Sequence, residues 1–386
     1  MVEQEGAAGP QMDSSPQPLT TPIVIYAFNR PDYLERLCLS LRAQQGVILD
    51  ETRLHLLQDG AVSPRSGLRF AEQDAIEANI ATFRRIFPGG QVHAAPDNLG
   101  IAMNLQRGES LVFETLKAEV GYFFEEDLEL GPFYLAMLEA IRAQLPEHPQ
   151  LGYFAAYGNH RLASDPAQPK FIPLEHHWGF GLTRRCWQAM QPWLAPFHQI
   201  WRECDYQARP HLRLVEVYLG KAVGSTQSSQ DVSKTLACAD LGFGRINTDV
   251  CYARYIGKQG QSFHEASFAR HGFERTEVAA ALPPEPPRLT AAQLAGFIAA
   301  KRAQHVRIRQ EQLESRLAEM RRYLFNPDRL ATREDVEEIW RVLMDRLPED
   351  EEYYARNVGQ RTVRQIRSGL LRGREARAKS FFLKVP

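Results

Sequence analysis

Short apolar runs alternate with amphipathic segments between residue 21 and about residue 130. The runs PIVIYAF, RLHLLQ, GGQVHAA and VGYFF are typical of strands that are covered on both faces. Between them apolar residues recur at intervals of three and four, as for Ile76, Ile80, Phe83 and Phe87, which predicts helices. This alternation predicts an α/β fold with a Rossmann-like, mostly parallel sheet and helices on both faces.

The second half of the chain has a different pattern. The runs LGYFAAY and HHWGFGLT predict further strands, and a helix is expected from Asp231 to Leu241. After the run PPEPP, the pair Thr290 and Gln293 has the spacing of a capping box and opens a predicted helix of about thirty residues. The pair Thr332 and Asp335 marks the start of another helix, so we expect this end of the chain to be all helical.

These patterns divide the chain into four parts. Residues 1–20 are rich in Pro, Gly, Ser and Gln and are expected to be disordered. Residues 21–280 form the predicted α/β domain, and residues 281–288 form a proline-rich linker. Residues 289–386 form a helical C-terminal region that ends in a basic tail.

The net charge and the cysteine content limit the classes of function that the chain is expected to have. The chain of 386 residues has a formal net charge of −1, so nothing global indicates nucleic-acid binding. Its five cysteines are scattered without a CxxC pair, which is typical of a reducing cytoplasm rather than of a disulfide or zinc scaffold. Neither a signal peptide nor an apolar run of membrane-spanning length is evident. We therefore expect a cytoplasmic protein.

The basic tail adds a local feature. Eight lysine or arginine residues and one glutamate lie between Arg361 and Pro386. Such a segment is either a solvated helix face or a peripheral contact with anionic lipid at the inner face of the membrane. The helices before it are also candidates for pairing two subunits in a homodimer.

Polar residues follow the ends of four predicted strands. They are Asn29-Arg30, Gln58-Asp59-Gly60, Asp97-Asn98 and Glu125-Glu126-Asp127. Because ligands of α/β sheets bind at the carboxyl ends of strands, we expect these residues to line one site. The three adjacent acids repel one another, and a divalent cation would supply the missing positive charge. Alternatively, the acids only solvate the strand end or cap a helix that begins at Leu128.

Several motifs together resemble a known family. The segments PIVIYAFNRPDYLERLCLSL, QDG, DNLGIAMN, YFFEEDLELGPFYL, HWGFGLTRRCW and INTDVCYARYIGKQGQSFH occur in the order seen in inverting glycosyltransferases of the GT-A fold. The chain is similar to the N-acetylglucosaminyltransferase I type and its bacterial relatives over roughly residues 21–265. The resemblance implies that a sugar moves from a nucleotide-diphosphate donor, with UDP-sugar favoured, to a hydroxyl acceptor by single displacement.

The resemblance also implies roles for the acidic residues. Asp127 would bind Mn²⁺ or Mg²⁺ together with the donor diphosphate, and Glu126 would lie near the ribose or sugar. Glu125 is expected to face elsewhere. Asp59 would accept the N3–H of uracil, although an Asp-Gly pair is also an ordinary turn.

Other residues at the strand ends are candidates for donor binding. Asn29 and Arg30 follow the first strand, and Arg30 would reach the base or a phosphate unless it is a surface residue. Asn98 precedes a helix, where it would bind a donor oxygen or serve as the N-cap. Trp178 and Gly179 would let a ring and the backbone approach a sugar closely, with core packing as the alternative. His264 lies in a loop that would close over the donor, unless it is structural.

Inverting transfer needs a base that removes the proton of the acceptor hydroxyl. Asp231 precedes the IN…IG strand, where related bacterial sequences carry an Asp. Those relatives have an aromatic residue beside it, whereas Gln230 and Val232 flank it here. Asp205 and Asp240 are the alternatives for the base.

Two other functions are compatible with such a sheet. A sugar-nucleotide pyrophosphorylase-like enzyme would need a glycine-rich phosphate loop after the first strand, and YAFNRPDYL has no glycine. A non-catalytic nucleotide-sugar-binding scaffold would not need both the acidic run and Asp231. The acceptor of a transferase would be a hydroxyl-bearing glycan, a lipid-linked sugar or a small molecule.

Overall fold

The chain folds around an eight-stranded mixed sheet. The structure, a computed structural model, describes residues 16–259, 265–325, 327–344 and 346–375. Three predictions fall outside these ranges: the disorder of residues 1–15, the role of His264 and the charge of the tail at residues 376–386.

The elements are as follows. The strands are β1 (Gln17–Leu19), β2 (Ile23–Ala27), β3 (Val47–Leu49), β4 (Leu54–Gln58), β5 (Gln91–Ala94), β6 (Val120–Glu125), β7 (Leu128–Leu130), β8 (Leu151–Phe154), β9 (Phe171–Pro173), β10 (Gly179–Thr183), β11 (Gly244–Thr248) and β12 (Ala253–Tyr255). The helices are α1 (Pro31–Arg42), α2 (Gln73–Ile86), α3 (Ile101–Ser110), α4 (Tyr134–Arg142), α5 (Arg184–Glu203), α6 (His211–Val217), α7 (Gln230–Leu241), α8 (Glu265–His271), α9 (Ala291–Arg307), α10 (Leu313–Phe325), α11 (Arg333–Met344), α12 (Glu351–Asn357) and α13 (Val363–Arg372). A π-helical turn, Leu111–Thr115, extends α3, and another, Ile308–Gln312, joins α9 to α10.

The strand order of the main sheet is β5-β4-β2-β6-β10-β8-β11-β9. Strands β5, β4, β2 and β6 are parallel, as the sequence predicts. Strand β10 runs antiparallel between β6 and β8, and β8 and β11 are parallel to each other. The α/β class with a mostly parallel sheet is therefore confirmed, and the parallel half brings four carboxyl strand ends to one edge.

Side chains of β2 and β6 alternate between two helical layers. On one face the Tyr26 hydroxyl donates to the Leu105 carbonyl of α3 at 3.0 Å, and Phe123 packs against Phe113 of the following π-helical turn. On the other face Phe124 packs edge-on against Tyr134 at the start of α4. The prediction of helices on both faces is thus confirmed.

Two predictions for short segments are wrong. The chain at Leu128–Leu130 is not the start of a helix but strand β7, which pairs antiparallel with β12. Its buried leucines flank the half-buried Glu129, and this period of two is that of a strand. The predicted disorder does not reach residue 20 either, because Gln17–Leu19 pair in parallel with β3.

Both predicted helix starts in the C-terminal region are confirmed. Gln293 N donates to Thr290 Oγ1 at 3.1 Å, and Thr290 N donates to Gln293 Oε1 at 3.1 Å, which completes the capping box. Before α11, Thr332 N donates to Asp335 Oδ2 at 2.7 Å. These side chains satisfy N–H groups that a helix start leaves without partners.

The long helix after the prolines belongs to the main core rather than to a separate region. Leu294 of α9 is buried against Gly244 of β11, and Leu317 of α10 joins the same core. A second, smaller core lies beyond residue 330 and includes Val336 and Ile366. The boundary between the cores therefore differs from the predicted division at residue 289, because the linker pattern marks a turn of the chain and not the edge of a core.

None of the described helices combines the length and the apolar character that crossing a membrane requires.

We expect Leu294→Ala to lower the free energy of unfolding of the main core by about 2–5 kcal/mol, since it removes a buried side chain and leaves a cavity. Ile366→Ala is the matched control, because Ile366 is equally buried but lies in the second core. Hydrogen exchange followed by mass spectrometry should speed up in β11 for the first variant and within α11–α13 for the second. Faster exchange in both regions for either variant would contradict the boundary near residue 330.

Candidate active site

A cleft of about 650 Å³ opens at the carboxyl ends of β2, β4 and β6. Six residues that the sequence singles out line it: Asn29, Arg30, Asp59, Asn98, Glu126 and Asp127. The structure therefore brings together residues that are up to about a hundred positions apart, as the rule for strand ends predicts.

Glu125, Glu126 and Asp127 form an acidic wall of the cleft, and Arg30 contacts two of them. Its Nε is 2.6 Å from Glu126 Oε1, and its Nη1 is 3.0 Å from Asp127 Oδ2. Glu126 also accepts a hydrogen bond from Phe28 N at 2.9 Å. Burial raises the pKa of Glu126, while Arg30 and the Phe28 N–H act in the opposite direction. Part of the positive charge that the acidic run needs thus comes from Arg30.

Asp127 has one engaged and one unengaged oxygen. Its Oδ2 meets Arg30 and also accepts from the Tyr255 hydroxyl at 3.4 Å. Its Oδ1 is buried and has no hydrogen-bond partner within the described residues. Gly257 passes so close that a Cβ there would lie 2.8 Å from Oδ2. A buried carboxylate oxygen without a partner is unusual in folded proteins and calls for a ligand or an ion.

Glu125 lines the cleft beside these two acids, so the prediction that it faces elsewhere is wrong. Strand β6 ends at Glu125 and the next two residues form a turn, which lets all three side chains reach one edge. Burial, together with the charges of Asp127 and Asp231, raises the pKa of Glu125 well above its usual value. Glu125 therefore holds its proton more readily than an exposed glutamate does.

Asp59 is buried and surrounded by four N–H groups. Its Oδ1 accepts from Leu99 N at 2.8 Å and Gly60 N at 2.9 Å, and its Oδ2 accepts from Gly100 N at 3.0 Å and Asn98 Nδ2 at 3.4 Å. Burial raises the pKa of Asp59 against the effect of these bonds. Asp59 thus fastens the end of β4 to the turn before α3. The Asn98 contact is the longest of the four, so it is the one that an N–H of a ligand would replace.

Asn98 braces the same turn and is not a helix N-cap. Its Nδ2 donates to the Gly60 carbonyl at 2.9 Å, and Gly100, with a φ of 77°, is the cap of α3. Only glycine adopts this conformation freely, which explains the place of Gly100 in DNLG. Asn29 lies half-buried in the same wall.

Trp178 and Gly179 lie outside the lining of the cleft, so core packing explains both better than sugar contact. The Trp178 ring is stacked between His176 and Tyr255, at centroid distances of 4.3 and 4.4 Å, which leaves no open face for a sugar. A Cβ on Gly179 would lie 2.5 Å from a Leu128 methyl group. Trp178 instead stacks on Tyr255, whose hydroxyl donates to Asp127 Oδ2. The predicted role of His264 falls outside the described residues.

Asp231 lies in the first turn of α7, after the N-cap Ser229. It is close enough to the cleft for its charge to raise the pKa of Glu125, and it lies 3.2 Å from His177 Nδ1. The two alternatives for the base form other hydrogen bonds. Asp205 accepts from Ser63 Oγ at 2.5 Å, and Asp240 accepts from Trp193 Nε1 at 2.9 Å. Asp231 is not among the residues that line the cleft, but of the three it is the one whose charge raises the pKa of Glu125, and its side chain is 46% exposed.

Part of the lining of the cleft comes from residues that the sequence patterns did not single out. They are Tyr206, Arg209 and Tyr255 of the main domain and Arg333, Glu337 and Leu347 of the C-terminal region. The Arg209 guanidinium lies over the Tyr206 ring, 4.4 Å from its centroid. None of them lies at the end of a predicted parallel strand, and only the pairing of aromatic and basic residues in DYQAR is a weak signal.

The side chains present fit a divalent cation only in part. No group of three or more His, Cys, Asp or Glu side chains suited to a metal occurs in the described ranges. Asp127 Oδ1 offers a single buried carboxylate oxygen, which is what Mg²⁺ and Mn²⁺ use when phosphate oxygens and waters supply the other ligands. The site therefore fits a cation that arrives with a diphosphate rather than one held by protein alone.

No protein-family model matches the chain, and no curated protein matches it either. Solved structures resemble it weakly. TarS from S. aureus gives a TM-score of 0.29 and 11% identity over 52% of this chain, which spans only 34% of TarS. A CMP:2-keto-3-deoxy-manno-octonic acid synthetase complexed with CTP gives 0.26 and 12%, covering 48% of this chain and 78% of that one. The galactosyltransferase LgtC with donor and acceptor sugar analogs gives 0.24 and 11%, covering 46% and 66%. These TM-scores are below 0.5, so the chemistry of the cleft, and not these likenesses, supports a function.

We expect Arg30→Met to lower the free energy of unfolding by about 3 kcal/mol, because it leaves two buried carboxylates without their shared cation. Arg36→Met is the matched control: Arg36 also pairs with a glutamate, Glu129, but on the exposed surface, where such a pair contributes under about 1 kcal/mol. Urea denaturation of both variants measures the difference. Equal losses in the two variants would show that Arg30 does not hold the acidic wall.

Proposed function

We propose that the chain is a glycosyltransferase that takes a sugar from a metal-bound nucleotide-diphosphate donor, with UDP-sugar favoured, and inverts the anomeric centre. The observation that carries the proposal is the buried Oδ1 of Asp127, which has no hydrogen-bond partner in the described part of the chain and belongs to a residue lining a cleft at the carboxyl ends of parallel strands. A second carboxylate, Asp231, lies within electrostatic reach of the same wall. One acid to hold a cation and another to take a proton are what single displacement from a diphosphate donor requires.

The donor side of the cleft is built by the strand ends. Asp127 would hold Mn²⁺ or Mg²⁺, which would neutralise the charge that develops on the departing diphosphate. Arg30 orients the Asp127 carboxylate through Oδ2, while Oδ1 has no hydrogen-bond partner among the described residues and would be the oxygen that meets the cation. Asn29, Asp59 and Asn98 would hold the nucleoside, with a uracil N–H replacing the long Asn98 contact on Asp59.

Asp231 would act as the base. It would accept the proton of the acceptor hydroxyl while the new bond forms from that oxygen to the anomeric carbon. The bond from the anomeric carbon to the phosphate oxygen breaks in the same step, and its electron pair leaves with the diphosphate. A carboxylate suffices because the hydroxyl proton is lost late in such a displacement, so position matters more than pKa.

The C-terminal region would form the acceptor wall. Arg333, Glu337 and Leu347 present a cation, a carboxylate and an apolar group to the cleft. Such a mixed surface suits a hydroxyl-bearing acceptor such as a glycan, since hydroxyls both donate and accept hydrogen bonds. Arg333 is itself held by Glu337 and Glu351, so the wall has a fixed shape before a ligand binds.

We expect Asp127→Asn to remove the Mn²⁺-dependent part of UDP binding, because the amide replaces the one carboxylate oxygen available to the cation. Isothermal titration of UDP with and without Mn²⁺ measures this, and titration of Mn²⁺ alone should show weak binding in every variant. Glu129→Gln is the matched control, since Glu129 is two residues away but pairs with Arg36 and Arg254 outside the cleft. Mn²⁺-enhanced UDP binding that survives in Asp127→Asn would contradict the metal site.

We expect Asp231→Asn to bind UDP as the unchanged protein does but to lose roughly 10²- to 10⁴-fold in turnover, the usual contribution of a general base. Turnover is followed as UDP release from UDP-N-acetylglucosamine, UDP-glucose and UDP-galactose with Mn²⁺, with water as the acceptor. Asp240→Asn is the control on the same helix. Full turnover in Asp231→Asn would exclude it as the base, and binding without any UDP release by the unchanged protein would favour a scaffold.

A further inference from the structure

Only one of the two carboxylate oxygens of Asp231 contacts other side chains among the described residues. Its Oδ1 lies 3.2 Å from His177 Nδ1, off the line of a regular hydrogen bond, and also contacts the Gln230 amide. Its Oδ2 has no partner among the described residues, and the side chain is 46% exposed. Asp231 is therefore oriented through one oxygen while the other remains open.

His177 is in turn held by Arg245. The Arg245 Nη2 lies 2.9 Å from His177 Nε2, and both residues are buried. An arginine can only donate, so His177 Nε2 must accept, and the remaining ring proton must sit on Nδ1. Nδ1 is the ring nitrogen that lies 3.2 Å from Asp231 Oδ1. The tautomer is thus set by a partner 68 residues away in sequence.

We propose that Arg245 and His177 form a positioning relay for the base: Arg245 fixes the tautomer of His177, and the His177 Nδ1–H orients Asp231 so that its Oδ2 faces the acceptor hydroxyl. This inference rests on the proposed function, because it assigns Asp231 the role of base. His177 and Arg245 do not touch the cleft in this arrangement and act only through Asp231.

The surroundings of His177 prevent its ring from turning. Tyr153 and Phe180 pack edge-on against it, at centroid distances of 5.2 and 5.4 Å. Arg245 is fixed as well, since its Nη1 donates to Thr235 Oγ1 at 2.6 Å and its guanidinium lies over the Tyr153 ring. A buried arginine needs acceptors, and a neutral imidazole nitrogen is one that leaves the charge of the arginine intact.

The charges around the relay keep both partners in the required state. Burial and the neighbouring Arg245 lower the pKa of His177 to about 4, so the ring is neutral at pH 7. Burial would raise the pKa of Asp231, but His177, Lys234 and Arg245 outweigh it and hold that pKa below the usual value. The other titratable groups that face Asp231 are Glu125, His176 and Tyr206, and Lys234 is itself paired with Glu109 at 2.5 Å.

Side-chain ¹⁵N spectra of histidine-labelled protein test the tautomer without any activity. We expect His177 to be neutral with its proton on Nδ1 from pH 7 down to pH 5, and Arg245→Met to lose that preference. A proton on Nε2 in the unchanged protein would overturn the relay, whatever the enzyme assay shows.

Turnover of His177 variants tests the connection to the base. In the UDP-release assay we expect His177→Phe to lose roughly 10- to 100-fold in kcat, the size of effect that follows from a misplaced catalytic group, with the donor KM changed less than about twofold. The acid limb of its pH profile should move to higher pH, because Asp231 loses the nearby His177 ring, which lowers the pKa of Asp231. His177→Gln should recover part of the loss, since its amide can accept from Arg245 and donate to Asp231.

His148→Phe is the matched control for removing a buried histidine, since His148 is buried but lies in the loop between α4 and β8. It should keep the kcat and the pH profile of the unchanged protein. His177→Phe with an unshifted acid limb and unchanged kcat would overturn the relay while leaving the base intact. Full turnover in Asp231→Asn would instead exclude Asp231 as the base, and the absence of UDP release by the unchanged protein would overturn the proposed function, so these failures are distinguishable from that of the relay.

Discussion

The ion pairs of Arg30 are the interaction on which the cleft depends. Arg30 follows β2, and its partners Glu126 and Asp127 follow β6, the neighbouring parallel strand. Two carboxylates at the rim of a sheet would repel each other, and burying each costs several kcal/mol unless a cation compensates. The guanidinium compensates both at once and joins the two strand ends. It engages only Oδ2 of Asp127, so the geometry that stabilises the wall also leaves one oxygen for a ligand.

The same logic governs the end of β4. Asp59 is buried, and the protein satisfies it with the N–H groups of the turn before α3. The turn can adopt this shape because Gly100 tolerates a positive φ. Most oxygen atoms of the carboxylates at the strand ends thus accept contacts from within the protein, and few remain available to a ligand. A ligand that binds here meets a wall whose side chains are already in place, which lowers the ordering cost of binding.

The sequence predicts the part of the cleft that is formed by residues directly after the predicted strands. Apolar runs and helical periodicity predict β2, β4, β5 and β6, and at least one polar residue after each of these strands lines the cleft, whereas Gln58 and Asp97 do not. Contacts between distant segments are not predictable in this way. Leu128 is a strand residue only because β12 lies opposite it, and Trp178 is closed to ligands only because Tyr255 covers one face. Helix α5 contains Pro192 and Pro196, which on propensity alone argue against a continuous helix.

The two halves of the cleft are therefore built by different means. The half that contains Arg30, Asp59 and Asp127 comes from strand ends and is fixed by ion pairs and turns. The other half contains Tyr206 and Arg209 and residues of the C-terminal region, none of which follows a parallel strand. Arg333 and Glu337 lie on α11, whose buried Val336 and Ile339 belong to the second core. Since this part of the lining rests on a different core from the strand ends, substitutions in it can reshape the cleft without disturbing the acids that follow the strands.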